Sequence, residues 1–283
     1  MLRPGSARSS VCAFSFLALS FLRVAPVAKG QSQEAHSQPA ATQTTSTQTP
    51  SSDVHPVLVE LFTSEGCSSC PPADVLLQKI DTQQPVPGAQ MIVLSEHVTY
   101  WDHDGWKDPN SSPALTDRQT AYEAVLGEKD AFTPQLIVDG TQVKMGEGKV
   151  LIDALQKAAA APKVPVRIAE VTVDPTNPTV LRAHIETDVN SEKHSGDVYV
   201  AVALDHVESQ VLKGENGGRH LVHVAVVQEL TKVGKLSKGK SFNQDVRLNL
   251  KSGTDPTNLR LVAFVQESGP GNVLGAALRK PSS

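Results

Sequence analysis

Gly66-Cys67-Ser68-Ser69-Cys70-Pro71-Pro72 is the stretch on which the reading turns: two thiols separated by two serines, entered from an apolar run and left through a proline pair. Upstream, Val57-Leu58-Val59-Glu60-Leu61-Phe62 is expected to form a mostly buried strand, and downstream Ala73, Val75, Leu76, Leu77 and Ile80 recur at helical spacing. Proline suits the first helical turn, where its missing N–H costs nothing. The thiols are therefore expected at a helix start, where orphan N–H groups and the positive end of the helix dipole favour a thiolate. Two other readings stay open. A Cys-x-x-Cys can be half of a zinc site, which wants two further ligands, and it can be a structural disulfide, although closing so short a loop removes little chain entropy.

Working outward, the 283 residues leave room for one large or two modest domains. A formal charge of −4 gives no reason to expect nucleic acid as a partner. Residues 1–30 read as a secretory signal: Arg3 and Arg8 precede an apolar stretch from Val11 to Leu22, and Ala25-Pro26-Val27-Ala28 supplies a small-residue cleavage region. An uncleaved anchor is the alternative, but the stretch is short for a bilayer span. Cys12 is expected to leave with the signal, so Cys67 and Cys70 remain as the thiols of an exported chain with no membrane span. One spaced pair in an oxidising compartment points to redox chemistry more than to a disulfide framework. Residues 31–53, rich in Gln, Ser, Thr and Ala, read as a disordered tether.

After the first strand and helix, Pro85-Val86-Pro87-Gly88 is a turn and Met91 to Val98 a second buried strand. A right-handed parallel unit built this way brings Cys67 and His97 to the same sheet edge. The following loop, Thr99 to Pro109, holds Trp101 and Trp106, either as a substrate-binding surface or as a cap on the sheet edge. His97 and His103 with the two thiols make an alternative metal set, for which copper(I) suits soft sulfur ligands. Pro113 to Leu126, stopped by Gly127, reads as a second helix. Phe132-Thr133-Pro134-Gln135 then leads into the strand Leu136-Ile137-Val138, a short strand Val143-Lys144-Met145 follows, and a third helix runs from about Lys149 to Ala161.

This order of elements resembles the thioredoxin fold, and the resemblance implies an α/β thioredoxin-like domain over residues 54–162 with a Trp-rich insertion. It implies a cis Thr133–Pro134 bond beside the dithiol, with Pro134 and Thr133 presenting backbone to a substrate. Glu60 resembles the buried acid that assists proton transfer to the resolving thiol, set one residue farther away. Strand alternation equally allows Glu60 to point elsewhere, and Glu65, closer in sequence, would oppose thiolate formation. A second resemblance covers nearly the whole mature chain. Glu60 to Asp74, Tyr100-Trp101-Asp102, Gly105 to Pro109, Thr133-Pro134-Gln135, Gly214 to Arg219 and Val273 to Ala277 are similar to a family of secreted bacterial proteins known as domain of unknown function 1223. That family implies a fold and no proven substrate.

From Val164 the pattern changes to short strands: Val166–Ile168, Val180–Ile185, Asp197–Asp205, Leu221–Leu230, Asp245–Leu250 and Leu259–Gln266. Turns such as Asp174-Pro175 and Asp255-Pro256 separate them, so residues 163–283 are expected to form an antiparallel β-sandwich-like domain. Its loop Gly214-Glu215-Asn216-Gly217-Gly218-Arg219 is either a hairpin turn with a Glu215–Arg219 pair or a cover on the dithiol face, with Arg219 lowering the Cys67 pKa or binding a substrate carboxylate. His220 and His223 fall on opposite faces of their strand.

The function expected from this reading is an exported thiol–disulfide oxidoreductase, secreted or periplasmic, exchanging with protein or small-molecule thiols and disulfides and recharged by a separate redox partner. Cys67 is the exposed attacking thiolate and Cys70 the buried resolving thiol. The redox-active disulfide is the sole reactive group, without a cofactor. A metal carrier using Cys67, Cys70, His97 and His103, or a non-catalytic envelope binding module, is the alternative.

Overall fold

Strand β1 (His55–Thr63) is buried along its last seven residues, because elements pack on both of its faces. The computed structural model describes residues 54–189 and 194–281; the expected signal, tether and Cys12 lie outside them. On one side β1 pairs in parallel with β2 (Ala89–His97), in register from His55↔Ala89 to Thr63↔His97. On the other it pairs antiparallel with β3 (Gln135–Val138), which carries β4 (Thr141–Val143) at the sheet edge.

Helix α1 (Pro71–Gln83) starts at a proline pair, buries the stripe Ala73, Asp74, Leu77 and Ile80, and ends at Gln84 in the left-handed region. Helix α2 (Pro113–Leu126) starts at Pro113 and ends at Gly127, whose φ of 75° a glycine adopts without strain. Its buried face carries Arg118, Gln119, Tyr122 and Glu123 beside Leu115, because it covers acidic side chains of the sheet. Helix α3 (Gly148–Ala160) presents Leu151, Leu155 and Ala159 to Val57, Val59, Leu61 and the apolar side of α1.

The second half supplies β5 (Val166–Asp174), β6 (Asn177–Thr187), β7 (Gly196–Gln210), β8 (His220–Leu236), β9 (Phe242–Asn249), β10 (Leu259–Gln266) and β11 (Val273–Arg279). The described residues gather into one compact unit. The expected thioredoxin-like α/β domain followed by a separate β-sandwich-like domain is overturned. The molecule is mostly β, with three α-helices among the described residues, and one mixed eight-stranded sheet in the order β11-β10-β7-β8-β2-β1-β3-β4 runs through both halves. The join is a parallel bridge between β2 and β8 at Ser95↔Val226. A second sheet, β5-β6-β9, packs its apolar side on β7 and β10. The large sheet also curls, so that β11 lies against β1 and Leu58, Ile92 and Leu94 share a buried cluster with Ala201, Ala203, Val262, Phe264 and Ala276. No described helix is long and apolar enough to cross a membrane.

Candidate functional site

Cys67 and Cys70 are joined in a disulfide at the start of α1, with their Cα atoms 5.4 Å apart. Cys70 is the residue that caps the helix: its carbonyl accepts the N–H groups of Ala73 and Asp74 at 2.8 and 3.1 Å. The Thr133–Pro134 bond is cis, as expected from the resemblance. It sits beside the disulfide, with the Thr133 carbonyl oxygen 3.8 Å from Cys67 Sγ and the Ser69 hydroxyl 3.4 Å from it. An apolar groove of about 510 Å³, lined by Ser69, Pro72, Leu76, Pro134, Met145 and Leu151, runs from this point between α1 and the start of α3.

The expectation that Cys67 is exposed is corrected. Both cysteines are 0% exposed, although Ser68 and Ser69 between them face solvent. Two loops hold the segment that carries them. In the β7–β8 loop, Asn216 is fully buried and its Nδ2 donates to the carbonyls of Glu65 and Cys67, both at 2.9 Å. Neighbouring Glu215 accepts the Ser68 N–H at 3.1 Å, and hydrogen bonds from Ser68 hold its carboxyl below the usual range. In the Thr99–Pro109 loop, Trp101 Nε1 donates to Thr133 Oγ1 at 2.7 Å and Trp106 Nε1 to Glu65 Oε2 at 2.8 Å. The loops touch each other so closely that a Cβ on Gly214 would lie 3.0 Å from the Asp104 carbonyl and 3.2 Å from Trp106 Cβ. Trp106 therefore braces the dithiol loop at Glu65, and Trp101 the Thr133–Pro134 segment beside it.

Behind the disulfide lies a buried polar cluster drawn from five segments. Glu65 and His97 are 0% exposed, Asp108 and His223 1%, and Asp74 5%. Asp108 Oδ2 accepts the Glu65 N–H at 2.9 Å and lies 2.7 Å from His97 Nδ1. Burial opposes charge on both partners, yet their mutual attraction and hydrogen bond prevail: His97 is raised from its ordinary 6.5 and Asp108 is lowered to about 2. His223 meets the edge of the His97 ring at a centroid distance of 4.8 Å. Its Nδ1 is 3.7 Å from Asp74 Oδ2 and its Nε2 3.8 Å from Glu65 Oε1. The other Asp74 oxygen accepts the Thr63 hydroxyl at 2.9 Å.

Three further expectations are corrected. Glu60 faces away from α1 into the curl of the sheet, because β1 alternates and Glu60 falls on the face that α2 covers. There it accepts Arg118 Nε at 2.8 Å and the Tyr122 hydroxyl at 2.6 Å, so it is not placed to serve the thiols. Arg219 is exposed and reaches the site neither as a pKa-lowering cation nor as a carboxylate clamp; its carbonyl closes the loop by accepting the Val211 N–H. The metal set of Cys67, Cys70, His97 and His103 is not assembled. The thiols are oxidised, His97 is held by Asp108, and the His103 side chain is 75% exposed beside Asp104. No group of three or more His, Cys, Asp or Glu among the described residues is arranged to hold a metal.

Sequence reasoning missed Asp74, Asp108, Asn216 and His223. Asp74 carried a signal, since an acid four residues after Cys70 shares its helix face. His223 carried one too, as the alternate of the exposed His220.

The family described as "Protein of unknown function (DUF1223)" matches residues 58–266. No curated protein matches the chain. Among solved structures, an Agrobacterium tumefaciens protein determined by X-ray crystallography is similar at 26% identity and a TM-score of 0.61, over 80% of this chain and 95% of its own. The sporulation control protein Spo0M of Bacillus subtilis matches 42% of this chain and 47% of its own at 12% identity and a TM-score of 0.28. A domain of the outer membrane lipoprotein Omp28 of Porphyromonas gingivalis matches 43% of this chain and 89% of its own at 13% identity and a TM-score of 0.25.

Proposed function

The chain belongs to the DUF1223 family, and on that premise, which brings no activity with it, we propose that it is an exported thiol–disulfide oxidoreductase working through Cys67 and Cys70. The observation that carries this reading is the placement of the disulfide, closed at the N-terminal end of α1 with Cys67 Sγ 3.8 Å from the carbonyl that precedes cis Pro134. A loop this short adds little to stability by restricting the unfolded chain. A helix start lowers the cost of the thiolate that must leave when the bond is attacked. The signal-like first 30 residues support delivery to a compartment where dithiols cycle through oxidised states.

Exchange starts with a substrate thiolate attacking Cys67 Sγ: the new sulfur–sulfur bond forms as the Cys67–Cys70 bond breaks, and Cys70 leaves with the electron pair. The reverse course reduces a substrate disulfide. With both sulfurs covered in the oxidised protein, attack requires the Gly214–Gly218 loop to lift and the two Asn216 hydrogen bonds to break. The apolar groove beside Pro134 favours a polypeptide as the second reactant over a small polar thiol.

The test uses the signal-free protein with Cys67→Ser and Cys70→Ser alongside, in reduction of a disulfide-bonded protein by dithiothreitol and in oxidation of a reduced one. The expected result is catalysis by the wild type and loss in both variants. A wild-type rate no higher than either variant across both assays overturns the proposal.

A further inference from the structure

The β7–β8 loop is shaped by its own backbone: the Gly217 N–H donates to the Gly214 carbonyl at 3.0 Å, the Gly218 N–H to that of Val211 at 2.8 Å and the Arg219 N–H to that of Asn216 at 3.0 Å. Two consecutive residues of this loop hold the two ends of one peptide unit. Asn216 Nδ2 donates to the Cys67 carbonyl at 2.9 Å, and Glu215 Oε2 accepts the N–H of Ser68, across the same peptide bond, at 3.1 Å. A carboxylate is thereby held at the residue next to Cys67, where exchange begins, and both Ser68 and Glu215 are exposed.

Tying the loop down does not need that charge, because a neutral amide at position 215 accepts the same N–H. The cations of the loop, Lys213 and Arg219, are exposed and form no ion pair with Glu215 among the described residues. Behind the dithiol segment, the buried carboxyl groups of Glu65, Asp74 and Asp108 stand against the imidazoles of His97 and His223, a set that supplies no net cation. The start of α1 draws every thiolate to the same degree. Glu215 instead distinguishes reactants by the charges that flank their sulfur.

We infer that Glu215 is the specificity-determining residue of the exchange and selects basic polypeptides, whose cationic side chains flank the reacting cysteine, over acidic ones. This rests on the oxidoreductase reading. As the loop lifts, the carboxylate leaves the Ser68 N–H, and a lysine or arginine beside the incoming sulfur pairs with it, so a basic reactant favours the open loop. An acidic reactant meets like charge at the same place. The sulfur exchange itself is the same for both.

The experiment reduces the oxidised protein with three cysteine peptides that differ only in the two residues flanking the cysteine: lysine, serine or glutamate. Thiolate concentrations are equal, and loss of the Cys67–Cys70 disulfide is followed by acid quench and thiol labelling. Each rate is divided by that of the same peptide with hydroxyethyl disulfide. At low ionic strength the wild type is expected to favour the lysine peptide over the glutamate peptide about tenfold, the lower end of electrostatic steering. Glu215→Gln, which keeps an acceptor for the Ser68 N–H, is expected to bring this ratio near one, and Glu215→Lys to invert it. A wild-type ratio near one, or the same ratio in wild type and variants, overturns the inference while leaving the oxidoreductase reading intact. So does a uniform change of rate for all three peptides, which would assign the effect to the contact and not to its charge. Should the variants not fold, salt decides: loss of the wild-type preference at about 0.5 M, where exposed charges are screened, supports the inference, and persistence overturns it. Catalysis no faster than that of Cys67→Ser with protein substrates sinks the parent reading instead, and this inference with it.

Discussion

Asn216 ties the β7–β8 loop to the dithiol segment: its two bonds to the Glu65 and Cys67 carbonyls fasten a loop that otherwise offers glycines and exposed side chains. Removing such a pair costs about 1–3 kcal/mol, so Asn216→Ala is expected to speed reduction of the disulfide by dithiothreitol about tenfold or more with far-UV circular dichroism unchanged. Equal rates would show that the loop does not control access. Beneath it, the His97–Asp108 pair ties the site to pH. His97 is raised above 6.5, so its share of stability is complete below 6.5 and lost as pH climbs through the raised value. Asp108 is lowered from 3.8 to about 2, so its share is present above 3.8 and lost as pH falls through about 2. Urea unfolding is thus expected to show greatest stability from this pair between about pH 4 and 6.5, and His97→Gln to flatten both flanks. Cys67 and Cys70 were legible from local spacing, and Pro134 only through the resemblance to the thioredoxin fold. Asn216 and His223 were not, because a residue some 150 positions from the dithiol reaches it only through a strand pairing that no local pattern encodes.

At the scale of elements, helix α2 shows why burial and apolarity part company. Its inner face is polar because Arg118 must meet Glu60 and Glu96 on the sheet, where the guanidinium also lies 5.1 Å from the Tyr122 ring centroid and 5.4 Å from that of Phe264. Burial first and then the Glu60 charge push the Glu96 carboxyl well above its ordinary range, so Glu60 is the carboxylate that balances Arg118. Glu60→Gln is expected to destabilise the protein by about 3–5 kcal/mol, the cost of leaving a buried charge unpaired. Glu96→Gln replaces a group held toward its neutral form and is expected to cost little. Because a raised carboxyl loses stability as pH rises through its folded value, Glu96→Gln also removes that decline. Denaturant midpoints of the two variants at pH 5 and 8 check both statements; equal losses in each would reject this division of roles. The sequence placed α2 through Pro113 and Gly127 but could not show which stripe faces inward, since Leu115, Tyr122 and the charged residues share it.

For the whole molecule the question is whether residues 54–162 stand alone, as their self-contained run of strands and helices suggested. The contacts argue against it. Leu58, Ile92 and Leu94 complete their cluster only with Ala201, Ala203, Val262 and Phe264. Arg118 donates to Gln266 of β10 at 3.1 Å, Arg260 of β10 grips Asp81 of α1 through two nitrogens at 2.9 and 3.0 Å, and Val273 of β11 donates to the Asp139 carbonyl. A fragment ending at residue 162 would expose the β2 edge and that apolar face together, and it would lose the loop that holds the dithiol segment and the His223 that backs it. Strand edges and apolar faces left open in this way drive association rather than folding. Residues 54–162 expressed alone are therefore expected to aggregate or stay unfolded by near-UV circular dichroism, while residues 54–281 unfold in one transition by near-UV signal, far-UV signal and Trp fluorescence alike. A monomeric, cooperatively folded 54–162 fragment would show that the joint at Ser95 and Val226 is an addition to a finished fold. Noncoincident transitions in the longer protein would say the same of its second half.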